Sequence, residues 1–143
     1  MASLDVSVTE VVDATPTRIW AIMFDPRQDP TWMAAVKSVE PMSDELHPGA
    51  RVRRTGRFLG RTLRWTTEVS AVAAQTLDFQ IVHGPMRGTV AYRIEPEGTR
   101  SRVTIRNVGN APGFAPRSLL AFAMRRSLAA DLRRLKKLAE GPS

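Results

Sequence analysis

The sequence predicts an α+β domain in which seven antiparallel strands form a curved sheet around one long C-terminal helix, with two short helices after the first strand. Residues 51–69 alternate between apolar and polar side chains on either side of a glycine, which is typical of two long strands joined in a hairpin. Residues 117–139 place leucines at helical spacing and predict the long helix. The other strand-like segments are joined by short turns, which favours antiparallel pairing between neighbours.

The N-terminal part predicts one strand, two short helices and a further short strand. Residues 4–12 alternate and are rich in Val and Thr, as strands are. Thr15 and Pro16 suit the N-cap and the first position of a helix, and Asp29, which is also followed by a proline, repeats that signal. Residues 36–42 are then expected to form the short strand that precedes the hairpin.

The central hairpin determines which side chains point toward the interior. We predict a type II′ turn with Gly60 as its first central residue, because glycine suits the positive φ angle at that position. This register sets Gly56 opposite Trp65, where the missing side chain leaves room for the indole. Arg54 then lies opposite Thr67 on the same face and is the one charge among mostly apolar side chains.

The C-terminal part predicts three further strands and the closing helix. The strands are expected at residues 76–83, 86–95 and 100–108, separated by turns. The long helix would span about 35 Å, which is enough to cross the concave face of the sheet and to leave a cavity there. Its basic side chains occupy the half opposite an apolar arc of about 120°. That arc contains Leu120, Ala121, Met124, Leu128, Leu132, Leu135 and Leu138.

Length and composition fit one domain over residues 1–143 and restrict its chemistry. The chain has no cysteine, which excludes disulfides and thiolate zinc sites. No segment resembles a signal peptide or the roughly 20 apolar residues of a spanning helix, so we expect a cytoplasmic protein. The two histidines are far apart in sequence and lack an inward carboxylate cluster, so we expect no metal. The sequence also has no glycine-rich phosphate loop, and we expect no cofactor.

The charge is basic and unevenly distributed along the chain. The net charge is +7, and residues 49–143 hold 18 of the 21 basic residues but only 6 acidic ones. A solvated, arginine-rich surface explains this without further assumptions. The alternative is a basic surface that binds RNA, the ribosome or an anionic membrane. We expect no nucleic-acid partner, because the predicted helix offers no exposed aromatic side chain for stacking or insertion; weak contact with a membrane surface stays open.

The chain contains, in this order, the stretches VVDATPTRIWAIMFDPRQDPTWMAAV, GARVRRTGRFLGRTLRWTTEV and ADLRRLKKLAE. Together they resemble the SRPBCC or START-like superfamily, in its polyketide cyclase/dehydrase and lipid-transport branch. The most specific parts are Pro16 to Trp20, then Asp25 and Trp32, and the strand that leads from Gly49 to Trp65. The resemblance implies a helix-grip fold with a deep hydrophobic pocket for lipids, sterols, polyketides or quinones. It assigns no catalytic residue, since the superfamily shares no catalytic motif.

Several inward polar residues have two competing roles. A buried guanidinium needs a partner, so Arg54 is expected either to pair with Glu10 or to hold a carboxylate or phenolate of the ligand. His83 is expected either at the rim of the cavity or as a general acid or base. The Tyr92 hydroxyl is expected to donate to a ligand, to Asn107 or to Glu10. The predicted ligand-binding residues are Arg54, Trp65, Thr67, Phe79, His83, Tyr92, Asn107, Met124 and Leu128.

We therefore expect a protein that binds a hydrophobic or aromatic small molecule between the sheet and the long helix. The enzyme alternative is a polyketide cyclase or dehydratase that uses the same cavity, with Arg54, Tyr92 or His83 polarising the substrate and transferring protons. For the aromatic residues and Met124, plain core packing is the competing role. The residues leave open the ligand, the occurrence of a reaction and the oligomeric state.

Overall fold

The computed structural model describes residues 2–111 and 115–142, and these form seven strands and three α-helices. A short 3₁₀ turn over Pro26–Gln28 lies between the first two helices. The elements are β1 (Ala2–Val12), α1 (Pro16–Met23), α2 (Asp29–Trp32), β2 (Val36–Pro41), β3 (Arg51–Phe58), β4 (Arg61–Ala73), β5 (Thr76–His83), β6 (Arg87–Glu97), β7 (Arg100–Ala111) and α3 (Arg117–Glu140). The predicted element order is confirmed, with boundaries that lie within a few residues of those expected.

All seven strands form one antiparallel sheet in the order β1-β7-β6-β5-β4-β3-β2. Strands β2 to β7 pair with their sequence neighbours, whereas β1 pairs with β7 along its whole length. Register shifts interrupt the β2–β3 and β4–β5 ladders, and such bulges bend a sheet. The sheet is accordingly curled, with α3 packed against its concave side, so the predicted fold class is confirmed.

The predicted turn of the central hairpin is wrong by one residue. Leu59 and Gly60 are its two central residues, and both have positive φ angles, 50° and 77°, as a type I′ turn requires. Arg54 therefore pairs with Trp65 instead of Thr67, and Gly56 pairs with Leu63. Pairing shifts by two residues, so every side chain keeps its predicted face. The error arose because leucine rarely adopts a left-handed conformation, whose cost is about 1–2 kcal/mol.

Helix α3 supplies one wall of the core. Its buried side chains are Leu120, Leu128, Asp131, Leu132, Leu135 and Ala139. Fully burying a leucine contributes about 1.5–3 kcal/mol, so this face alone strongly favours docking on the sheet. Two features differ from the predicted arc, because Leu138 is exposed and the acidic Asp131 is buried.

Arg18 joins α1 to the C-terminal end of α3. Its guanidinium donates from Nε to the carbonyl oxygen of Ala139 and from Nη2 to that of Gly141 at 2.9 Å. The last carbonyls of a helix have no partners within the helix and carry partial negative charge, so a guanidinium there is stabilising. Helix α1 itself begins as predicted, with Thr15 accepting a hydrogen bond from the backbone N–H of Arg18.

Candidate functional site

A cavity of about 120 Å³ lies between α3 and the concave face of the sheet. Strands β3 to β7 contribute one wall, α3 contributes the other, and Met33 closes the end near α2. Most of its lining is apolar, as expected for a site that takes apolar molecules. The apolar lining includes Met33, Val36, Phe58, Leu63, Trp65, Phe79, Ile81, Met86, Val90, Ile105, Met124 and Leu128.

A buried ion pair stands at one side of this cavity. Arg54 donates from Nε to Oδ2 of Asp29 at 2.7 Å and from Nη1 to Oγ1 of Thr67 at 2.5 Å. The guanidinium also lies 5.4 Å from the centre of the Phe79 ring, within the range of a cation–π contact. Arg54 thus does pair within the protein, but the expected partner Glu10 was wrong and Asp29 takes that place.

Burial controls the ionisation of Asp29. Its side chain is 1% exposed, and removal from water raises the pKa of the Asp29 carboxyl. The adjacent Arg54 guanidinium lowers that pKa and offsets part of the rise. When both groups are ionised the pair carries no net charge, so it presents a strong dipole to the cavity without attracting an anion.

Asp131 brings a buried carboxyl to the cavity lining. It accepts a hydrogen bond from the backbone N–H of Ala34 at 3.1 Å and another from the Arg134 guanidinium, which also donates to the carbonyl of Trp32 at 3.0 Å. Burial raises the pKa of the Asp131 carboxyl, and these hydrogen bonds oppose the rise. Sequence reasoning missed this residue, although an acid within the apolar arc of a helix was the available signal.

Tyr92 lies among aromatic rings at the base of the cavity. Its ring packs edge-on against Phe79 at 5.3 Å and against Trp32 at 6.1 Å between ring centres. Its hydroxyl donates to the sulfur of Met33 at 4.0 Å, which is a weak hydrogen bond, and neither Asn107 nor Glu10 is its partner. Burial, with a smaller effect from the Asp29 carboxylate, raises the pKa of the Tyr92 phenol, so it stays a neutral donor.

Asn107 on β7 has an unused hydrogen-bonding atom inside the cavity wall. Its Nδ2 donates to the sulfur of Met124 at 3.7 Å. Among the described residues, Asn107 Oδ1 and Trp32 Nε1 are the buried side-chain polar atoms that have no hydrogen-bond partner, and of these two residues Asn107 lines the cavity. Leaving a buried acceptor unpaired costs about 1–3 kcal/mol, which a bound donor would recover.

The predicted ligand-binding residues are brought together with one exception. Arg54, Trp65, Thr67, Phe79, Tyr92, Asn107, Met124 and Leu128 all line the cavity. His83 does not, because it is exposed at the last position of β5. Asp29 and Asp131 were not predicted, since their burial depends on how α2 and α3 pack on the sheet.

A second and larger crevice of about 400 Å³ lies between α1 and the segment from β2 to β3. Charged side chains make up much of its lining, including Asp44, Glu45 and Arg51. The exposed Asp44 and Glu45 keep this crevice hydrated, so it suits an apolar molecule less well than the first cavity does.

The described residues also bear on metal and membrane binding. They contain no group of three or more His, Asp or Glu side chains that could hold a metal ion. No helix among them is long and apolar enough to cross a membrane.

Comparison with known proteins agrees with this geometry. A family model described as polyketide cyclase/dehydrase and lipid transport matches residues 3–140. The chain belongs to this family. Within it, this member has a cavity whose polar lining includes the ion-paired Arg54 guanidinium, the Asp131 carboxyl, the Tyr92 phenol and the Asn107 amide. Comparison with curated proteins by sequence gives no match.

Solved structures with low sequence identity share the helix-grip fold. A START superfamily protein from Mycobacterium smegmatis is 17% identical, with a TM-score of 0.83 over 95% of this chain and 97% of that one. The Zhui aromatase/cyclase from Streptomyces sp. R1128 is 20% identical, with a TM-score of 0.78 over 96% of this chain and 94% of that one. A protein from Thermus thermophilus is 20% identical, with a TM-score of 0.80 over 94% and 95% of the two chains. The family and these neighbours support a fold that binds hydrophobic ligands.

Proposed function

We propose that the protein binds a hydrophobic or aromatic small molecule, of the lipid, polyketide, quinone or sterol-like kind, in the cavity between the sheet and α3. The observation that carries this proposal is the unpaired Asn107 Oδ1 in a mostly apolar wall. An apolar body would bury the lining, and one donated hydrogen bond would satisfy the amide oxygen.

The charge balance of the site favours a neutral ligand. The Arg54 guanidinium is already engaged by Asp29 and Thr67, and the Asp131 carboxylate is engaged by Arg134. An anionic ligand would meet the Asp131 carboxylate, and the positive charge of Arg54 is already balanced by Asp29. A phenol or alcohol, in contrast, can donate to Asn107 at no electrostatic cost.

The size of the cavity restricts what it holds without rearrangement. An apolar cavity of about 150 Å³ accepts one benzene molecule, so the volume of about 120 Å³ corresponds to a single ring. Larger ligands require side chains to move. Met33, Met86 and Met124 all line the cavity, and methionine changes its rotamer more easily than branched or aromatic side chains do.

Thermal denaturation with matched ligand pairs tests the proposal. We expect 4-propylphenol to stabilise the protein more than propylbenzene, and a panel of fatty acids, sterols, quinones and polyketides to include further stabilising members. A ligand at about 100 times its Kd adds about 2.7 kcal/mol to the free energy of unfolding. Asn107→Leu should remove the preference for the phenol while keeping the response to propylbenzene, whereas Asn110→Leu, outside this cavity, should keep both. If no apolar compound stabilises the protein, the proposal is wrong.

A second candidate function is a cyclase or dehydratase that uses the same cavity. The specific observation that favours it is the buried Asp131 carboxyl, whose raised pKa suits a group that exchanges protons with a bound substrate. In this reading Tyr92 would polarise a substrate carbonyl by donating a hydrogen bond. Asp131→Asn should then abolish turnover of a polyketide substrate and leave its binding intact. Unchanged turnover in that variant would exclude this candidate.

A further inference from the structure

The N-terminal half of α3 and the neighbouring hairpin tip carry apolar side chains into solvent. Phe122 is 61% exposed, the highest value among the exposed large hydrophobic residues of the described chain, and Leu119 is 46% exposed. Leu59, at the tip of the β3–β4 hairpin, is 43% exposed. The sequence-based expectation that the helix presents no exposed aromatic side chain is therefore wrong. These exposed side chains are grouped at one end of the molecule, which calls for an explanation.

Packing places the hairpin tip beside the start of α3. Leu4 and Leu120 form a small buried cluster. Phe58, which precedes the turn, packs against this cluster, and so do Ala121 and Met124 of α3. The β5–β6 turn lies at the same end, since Gly84 lies against Trp65 of β4. Leu59 therefore lies near the start of α3, where Leu119 and Phe122 are exposed. The other exposed large apolar residues lie elsewhere on the described chain, and these are Trp20, Met42, Val108 and Leu138.

Basic side chains lie on the same half of α3 as Leu119 and Phe122. Arg117, Arg125 and Arg126 are exposed and form no ion pair with any described residue. The sequence contains no acidic residue from position 98 to position 130. On the helical wheel Phe122 lies between Leu119 and Arg125, and Arg126 lies one turn further along the helix. An apolar centre with an arginine border is typical of helices that lie in the interface of an anionic bilayer.

We propose that this end of the protein docks on an anionic lipid membrane, through a docking surface made of Leu59, Leu119, Phe122, Arg117, Arg125 and Arg126. The apolar side chains would enter the boundary between headgroups and acyl chains, and the arginines would contact lipid phosphates. A second copy of the chain is a poorer occupant, because it would bring the same arginines against one another. RNA is a poorer occupant because its phosphates would leave Leu119 and Leu59 in water.

The docking surface is also close to the cavity. Phe58, Met86 and Met124 line the cavity, and they belong to the hairpin tip, the β5–β6 turn and α3. A protein docked this way would hold its cavity beside the bilayer. The docking itself does not depend on which ligand the cavity binds, or on whether it binds one.

Vesicle flotation tests the proposal directly. We expect the full chain to float with vesicles that contain phosphatidylglycerol and to stay behind with pure phosphatidylcholine, and we expect added salt to weaken the binding. Phe122→Ser should reduce partitioning about tenfold, as the loss of one buried aromatic side chain predicts. Arg125→Glu with Arg126→Glu should abolish flotation.

A matched charge reversal elsewhere on α3 distinguishes binding by the docking surface from binding that depends only on the net positive charge of the protein. Arg133→Glu with Lys137→Glu makes the same change in charge on the exposed side of the C-terminal half of α3, and it should retain most of the binding. Circular dichroism and thermal denaturation establish that each variant is folded. The proposal is overturned if both charge reversals weaken binding equally, if Phe122→Ser binds as the wild type does, or if RNA is bound with no dependence on Phe122.

Discussion

Neutralising one partner of the buried Arg54–Asp29 ion pair should destabilise the protein strongly. The side chains are 8% and 1% exposed, and their closest N–O distance is 2.7 Å. Removing one partner leaves an unpaired charge in the interior, which costs about 3–5 kcal/mol. We expect Asp29→Asn and Arg54→Met each to lower the free energy of unfolding by an amount in this range, which corresponds to a decrease in Tm of roughly 10–17 °C for a domain of this size.

The double variant distinguishes this mechanism from simple loss of packing. When both charges are absent, neither is left unpaired, so the combined change should cost less than the sum of the single changes by at least about 2 kcal/mol. Urea denaturation of the four proteins of this cycle measures that coupling, provided that the m-values agree.

An exposed pair with the same closest N–O distance provides the control. Arg106 and Asp5 are also 2.7 Å apart, but their side chains are 56% and 54% exposed. Asp5→Asn should leave the free energy of unfolding unchanged within error, because exposed charges are well solvated in either state. The reasoning is refuted if the effects of the two single changes at the buried pair sum to within about 0.5 kcal/mol of the effect of the double change. It is also refuted if Asp5→Asn destabilises the protein as much as Asp29→Asn does.

Three further predictions concern the backbone and pH. Gly56→Ala should lower the free energy of unfolding, measured by urea denaturation, by more than about 2 kcal/mol, because an added Cβ would lie 1.8 Å from the carbonyl oxygen of Ala35. Gly98→Ala is the control, since an added Cβ there meets open space. Its positive φ should lower the free energy of unfolding by only about 1 kcal/mol. Leu59→Gly should stabilise the protein by about 1 kcal/mol, because glycine adopts the left-handed turn without strain, and a lower Tm would contradict this. Burial raises the pKa of the Asp131 carboxyl in the folded protein, so the wild type loses stability as pH rises above about 4 and this carboxyl ionises. Asp131→Asn has no such carboxyl, so its stability relative to the wild type should increase over the same pH range. Thermal denaturation between acid and neutral pH checks the last prediction, which is wrong if the difference stays constant.

The order of elements could be predicted because each element has its own periodicity. Alternation in β3 and β4, the proline starts of α1 and α2, and the leucine spacing of α3 are local signals that tertiary packing did not override. The faces of the strands were also predictable, since side chains alternate whichever register the hairpin adopts. The inward position of Arg54 follows from this and not from the turn that was expected.

The polar part of the site could not be predicted in the same way. The partner of Arg54 is Asp29, which lies 25 positions earlier in the chain on a helix of four residues, and its position depends on how α2 packs against the sheet. Glu10 lies on the predicted face of β1, but β1 is at the edge of the sheet beside β7, and four strands separate it from β3, which carries Arg54. Asp131 was assigned no role because an acid is normally solvated, and its burial depends on the backbone of Ala34 and on Arg134.

The pairing of β1 with β7 has a consequence for how the chain folds. Val6 lies opposite Asn107, so β1 pairs with a strand about a hundred residues later in the chain. Strands β2 to β7, in contrast, pair with their sequence neighbours. Contacts of such sequence separation form late, because the intervening loop must close first. During synthesis, β1 would therefore remain unpaired until β7 has left the ribosome. Limited proteolysis of stalled nascent chains should find β1 cleavable until then.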